Sequence, residues 1–161
     1  DKKQRAYLIN HFMDQFKGTV YRQTMFAEFE LAMGKMAESG QALTADALCQ
    51  KYHALNKLYF GPDMVSDDQI ALEWARIPHF FYNYYVFQYA TGFSAAVAIA
   101  NRILKEGAPA VADYKKFLSG GCSTDPISLL KIAGVDMSSP EPVNSALALF
   151  GELVDEMEQL V

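Results

Sequence analysis

Towards the end of the chain, apolar side chains fall at Val143, Ala146, Leu147, Phe150, Leu153, Val154 and Met157. Steps of three and four place them on one face of a helix, and such a stripe is stable only when buried against other elements. The same spacing recurs at Leu8, Ile9, Phe12, Met13 and Phe16, which predicts a helix over 3–16. It returns at Met25, Phe26, Phe29, Met33 and Met36, which predicts another over 23–38. Between them Gly18 is expected to end or bend the first helix, and Thr19-Val20-Tyr21 to be briefly extended.

Punctuation fixes the remaining segments. Ser39-Gly40 closes the second helix, and Thr44 is the N-cap of a third that runs to about Tyr59 and stops at Gly61-Pro62. Asp67 and Asp68 can cap a short helix holding Ile70, Leu72 and Trp74. Pro78 then interrupts the chain and biases Ile77 away from helix. Beyond it a helix is expected to carry the aromatic run and continue to about Lys105. Three more follow at 109–118, 126–133 and 140–160, each opened by a proline suited to a first turn. The expected fold is all-α, a bundle of about seven helices without a repeat or an interdomain linker.

Composition narrows the function. The net charge is −5 with acids and bases interleaved, so no basic stripe exists to neutralise phosphates and nucleic acid is not expected as a partner. The longest apolar run, 91–100, falls short of the ~18 residues of a membrane span. Cys49 and Cys122 stand apart as free thiols expected to be buried, a usage that suits a reducing cytoplasm. The chain opens on Asp1-Lys2-Lys3-Gln4-Arg5 with no leader-like segment, which reads as a piece of a larger protein.

Catalytic motifs are scarce. His11, His53 and His79 share no metal-ligand spacing, and there is no HExxH, no GxSxG and no Gly-rich phosphate loop. His11 is expected to be a hydrogen-bonded structural group and His53 to be exposed. One segment is different in kind: His79-Phe80-Phe81-Tyr82-Asn83-Tyr84-Tyr85-Val86-Phe87-Gln88-Tyr89. On a helix Tyr82, Tyr85 and Tyr89 share a face that His79 can reach, while Phe81, Val86 and Phe87 serve the core. Such a row of donors can line a cleft and hold a peptide backbone or a developing oxyanion. Equally, buried tyrosines can simply fill a core with their hydroxyls tied to backbone.

Several long strings carry a resemblance. They are Thr19-Val20-Tyr21-Arg22-Gln23-Thr24-Met25-Phe26-Ala27-Glu28-Phe29-Glu30, then Tyr59-Phe60-Gly61-Pro62, then Glu73-Trp74-Ala75-Arg76-Ile77-Pro78-His79-Phe80-Phe81-Tyr82-Asn83. Tyr89-Ala90-Thr91-Gly92-Phe93-Ser94-Ala95-Ala96 and Leu130-Lys131-Ile132-Ala133-Gly134-Val135-Asp136-Met137 complete the set. Together, and in order, they resemble the C-terminal region of the oligoendopeptidase F family, in the thimet oligopeptidase-like M3 group of zinc metallopeptidases. The resemblance implies that 1–161 is the C-terminal helical part of the catalytic domain of a larger, mostly helical, clam-like peptidase acting on short peptides. It implies a Zn2+ held by an HExxH helix and a following glutamate, both upstream of Asp1, so that this chain holds no metal ligand and is inactive by itself.

Carried over by position, the resemblance makes His79, Tyr82 and Tyr85 the oxyanion-stabilising candidates and Tyr84 and Tyr89 the substrate-binding ones, with Tyr84 and Tyr85 interchangeable. Arg22, Glu28 and Glu30 are expected to be structural, as a buried arginine–carboxylate pair joining helices. Trp74 and Arg76 either pack before Pro78 or shape the channel. The implied partners are short peptides and the N-terminal zinc-bearing part of the same protein, and a piece on its own is expected to self-associate through the face left uncovered. The alternatives are a free-standing helical module that binds a peptide or partner helix without catalysis, and a sensor holding a hydrophobic ligand between helices.

Overall fold

A computed structural model describes residues 1–161, and it contains helices and no strand. The seven α-helices are α1 (Lys2–Phe16), α2 (Arg22–Glu38), α3 (Ala45–Phe60), α4 (Phe87–Glu106), α5 (Ala108–Ser119), α6 (Pro126–Ile132) and α7 (Glu141–Leu160). The all-α expectation holds. The chain divides into two compact units, one made of Asp1–Phe16 with Thr91–Val161 and the other of Lys17–Ala90.

In the first unit α1 lies against α7 and α5 against α6. Phe16 is fully buried and meets Phe93 edge-on at 4.9 Å and Phe150 at 5.4 Å between ring centroids. The stripe read from α7 faces inward, with Ala146 and Leu153 buried and its other members half-buried. Arg5 on α1 holds Glu156 on α7 with two parallel bonds of 2.7 and 2.8 Å. Further along, Ala95, Ile99, Ala133 and Val135 form a second apolar cluster. Arg102 braces it, donating to the Ala133 carbonyl at 2.8 Å and to Asp113 at 2.9 Å.

The second unit is built on α2 packed against α3. Met25, Phe26 and Phe29 come from α2, and Leu48, Tyr52 and Leu55 from α3, with Ile77 and Val86 closing the core. Each large apolar side chain buried here contributes roughly 1.5–3 kcal/mol. Thr44 caps α3 as read, accepting from the Ala47 amide at 3.2 Å, and Gly61 ends it at φ 78°. The segment after α3 is a 3-10 helix, Gln69–Arg76, opened by Asp67, whose carboxylate accepts from the Ile70 amide at 2.9 Å. So long a 3-10 stretch is uncommon, and side-chain bonds at Glu73 tie it down.

Four local expectations need correcting. Thr19-Val20-Tyr21 is not extended: 17–21 form a π-helical turn that leads directly into α2. The wide turn satisfies the backbone while leaving Val20 buried, and the Gln23 amide donates to the Gly18 carbonyl at 3.3 Å. Cys122 is exposed rather than buried, while Cys49 is half-buried and accepts from the Trp74 indole at 3.4 Å. His53 is half-buried against the Ser66 carbonyl at 3.0 Å rather than exposed, whereas His11 is hydrogen-bonded as expected, to Gln15 of its own helix at 3.0 Å. Arg22 does find a buried carboxylate, but that partner is Glu73 and not Glu28 or Glu30.

Candidate functional site

The aromatic run after Pro78 is not one helix. Ile77 is extended at φ −90°, ψ 104°, as a residue before proline should be, and Pro78–Phe81 form a single 3-10 turn. The chain then reverses through Asn83 and Tyr84, both left-handed at φ 50° and 59°. Left-handed backbone costs an ordinary residue ~1–2 kcal/mol, so this reversal must be held from outside. Val86 is fully buried and anchors the far side, and α4 begins only at Phe87. The shared helix face inferred for Tyr82, Tyr85 and Tyr89 therefore does not exist. Phe81 and Phe87 are exposed, and only Val86 of the three residues assigned to the core reaches it.

A turn nevertheless brings the same side chains together. The His79 ring stacks on Tyr85, with centroids 6.0 Å apart and planes within 5°. Tyr82 and Tyr89 stand edge-on to it at 6.0 and 5.4 Å. Tyr85 is in turn edge-on to Tyr82 at 6.1 Å and to Tyr89 at 5.7 Å. His79 Nε2 and the Tyr89 hydroxyl are 3.1 Å apart, the tautomer deciding which of them donates.

This is not core packing. Tyr82 is 58% exposed, Tyr85 41% and Tyr89 38%. The neighbouring Tyr85 hydroxyl, then desolvation, raise the Tyr89 phenol above its ordinary range, which keeps it protonated and able to donate. Tyr84 stands apart from the cluster. Its amide donates to the Glu30 carboxylate at 2.6 Å, and its phenol lies over Gly34 of α2.

A zinc ion does not fit these residues as its ligand set. His79 is the one imidazole among phenols, and no group of three or more His, Cys, Asp or Glu side chains in the chain could hold a metal ion. What the cluster offers is hydrogen bonding: phenol and imidazole groups converging on one open surface, suited to peptide carbonyls or to an oxygen gaining charge.

A second polar cluster lies close by, one that local sequence pattern does not reveal. Glu73, buried, receives the Tyr52 hydroxyl at 2.6 Å, Arg22 at 2.5 Å, and Arg76. Burial raises the Glu73 carboxyl, but the Tyr52 hydroxyl and the two guanidinium groups outweigh it and leave the group below its ordinary value. Burial and the Glu73 carboxylate together push the Tyr52 phenol far upward. Arg22 also lies over the Phe26 ring at 5.0 Å. The adjacent Glu73-Trp74-Ala75-Arg76 string is charged, but nothing in its spacing reveals that Tyr52 and Arg22 converge on it.

The family model described as Peptidase family M3 matches residues 1–149, and the chain belongs to that family. It is 57% identical over its whole length to oligopeptidase PepF of Bacillus subtilis, and 45% identical to group B oligopeptidase PepB of Streptococcus agalactiae. It covers 24% of the former and 27% of the latter, so it spans about a quarter of the length of the curated relatives it matches. The crystal structure of oligoendopeptidase-F from Enterococcus faecium superposes with a TM-score of 0.96 at 48% identity, covering 99% of this chain and 31% of that one. The resemblance to oligoendopeptidase F noted above is borne out. No helix is long and apolar enough to cross a membrane.

Proposed function

We propose that the chain is the substrate-facing helical part of an oligoendopeptidase, and that His79, Tyr82 and Tyr85 donate hydrogen bonds to a peptide carbonyl as its oxygen gains charge. Tyr89, bonded to His79, orients the imidazole and contributes a further contact to the peptide. One observation carries this reading: each of four rings lies within about 6 Å of at least two of the others, and three of the four are phenols open to solvent in this chain. Within this chain those phenols are not buried, as a purely packing role would have them.

On this reading residues 1–161 belong to a catalytic domain completed by the rest of the protein, which is its first partner. Short peptides are the substrates. The zinc implied by the sequence resemblance is held outside this chain, whose own residues do not form its ligand set. The two free thiols agree with a cytoplasmic setting.

The test uses the full-length enzyme and a short internally quenched peptide. Tyr85→Phe or Tyr82→Phe is expected to lower kcat by ~10²–10³ with little change in KM, as loss of an oxyanion donor does. A raised KM with normal kcat would instead make the cluster a binding surface without a catalytic part. Normal values for both constants in both variants would remove the cluster from the reaction.

A further inference from the structure

We infer that Glu30 and Gly34 of α2 form a clamp on Tyr84 that sets the geometry of the His79 cluster; they are positioning residues, and the inference rests on the function proposed above. The two lie one helical turn apart, a spacing that puts them on the same side of α2. Glu30 is 6% exposed, and the sequence reading offers it as one carboxylate for a buried arginine pair. It has no arginine partner. Its Oε1 accepts from the Tyr84 backbone amide at 2.6 Å, a short bond to a buried carboxylate. A buried carboxylate without a cation is costly to keep, and the Tyr84 amide it accepts offsets part of that cost.

Tyr84 and Asn83 are the two non-glycine residues of the chain with positive φ, and they form the reversal between Tyr82 and Tyr85. Gly34 supplies the second point of the clamp. A Cβ at that position would collide with the Tyr84 hydroxyl oxygen, while the ring carbon bearing it would remain at an ordinary 3.5 Å. The phenol therefore rests on the α2 backbone where only glycine leaves room. With the amide held by Glu30 and the ring seated on Gly34, Tyr84 points towards α2. Its neighbours Tyr82 and Tyr85 are thereby left facing His79. This also separates the roles of Tyr84 and Tyr85, which the sequence left interchangeable.

The experiment uses the full-length enzyme carrying Gly34→Ala, Tyr84→Phe and the double substitution. Kinetics are read with the quenched peptide, and the ring environment of His79 by NMR of isotope-labelled histidine. Gly34→Ala is expected to lower kcat by about 100-fold with KM changed much less, the scale of a roughly 1 Å misplacement of reacting groups. The His79 resonance should shift as its stack on Tyr85 is disturbed. Tyr84→Phe removes the colliding oxygen, so adding it to Gly34→Ala should restore both kcat and the resonance to the values of Tyr84→Phe alone.

Glu30→Gln, which keeps an acceptor oxygen, should retain far more activity than Glu30→Ala. If Glu30→Ala does not fold, the Gly34 and Tyr84 pair still decides the matter. An unchanged resonance and kcat in Gly34→Ala, or no recovery in the double variant, would overturn the clamp. A shifted and then restored His79 resonance, found together with normal turnover in Tyr85→Phe and Tyr82→Phe, would keep the clamp and reject the catalytic reading.

Discussion

Glu73 and His79 sit a few residues apart, yet they organise opposite kinds of polar cluster. Around Glu73 each carboxylate oxygen is taken by a donor from its own unit, and Tyr52 is completely buried. Around His79 the rings meet edge and face, but the phenols remain open. In the first arrangement the buried Tyr52 hydroxyl and both Glu73 oxygens are engaged with one another and with the two arginines, which suits it to holding the fold. The second keeps donors in reserve, which a binding or catalytic surface needs and a core does not. Burial, and not residue type, separates the two: both use tyrosines, and both lie near Pro78.

The sharpest way to break this comparison is to remove the centre of the closed cluster. Glu73→Ala strands Arg22 and the buried Tyr52 hydroxyl, and it should destabilise the 17–90 unit by roughly 3–5 kcal/mol. Hydrogen exchange of the α3 amides in the full-length protein would reveal it as faster exchange, while kcat per folded molecule stays close to normal. Tyr85→Phe should do the reverse, with a kcat loss of ~10²–10³ and unaltered α3 exchange. If both substitutions changed exchange and turnover together, the division into a holding cluster and a working cluster would fail.

Acid sharpens the same contrast more gently. Glu73 in the folded chain titrates below its ordinary value of 4.5. Its contribution is therefore complete above about pH 4.5 and is lost as pH falls through the lower, folded value. Exchange of α3 should accelerate over that window in the parent protein and show a shallower pH dependence in Glu73→Gln. The smallest effect is expected at Arg76, whose side chain is 69% exposed although it reaches Glu73. Arg76→Ala should cost under about 1 kcal/mol, since water screens such a partner and Arg22 remains. A cost as large as that of Glu73→Ala would mean that the network depends on its exposed arm.

How much of this was legible depends on the range of the signal. The Thr44 cap, the proline-led starts of α5 and α6 and the α7 stripe rest on bonds and periodicities spanning a few residues, and they were read correctly. The aromatic run misled for the same local reason. Tyr82, Tyr85 and Tyr89 fit a helical face, and nothing within the segment announces that Asn83 and Tyr84 will be left-handed. Glu30 and Gly34, which contact Tyr84 in that conformation, lie far away in sequence. The cluster could be anticipated as a set of residues, but not by the geometry that assembles it.

The sequence by itself determined an all-helical chain, the main helix boundaries, and a histidine–tyrosine segment worth attention. These follow from periodicity, capping and proline chemistry, which act over one or two turns. Only the tertiary structure decided that Glu73 gathers Tyr52 and two arginines, that Tyr84 turns onto α2, and that His79 stacks on Tyr85. Those choices depend on which buried polar groups can find partners once the helices have packed, a condition set by the whole unit and not by any segment of it.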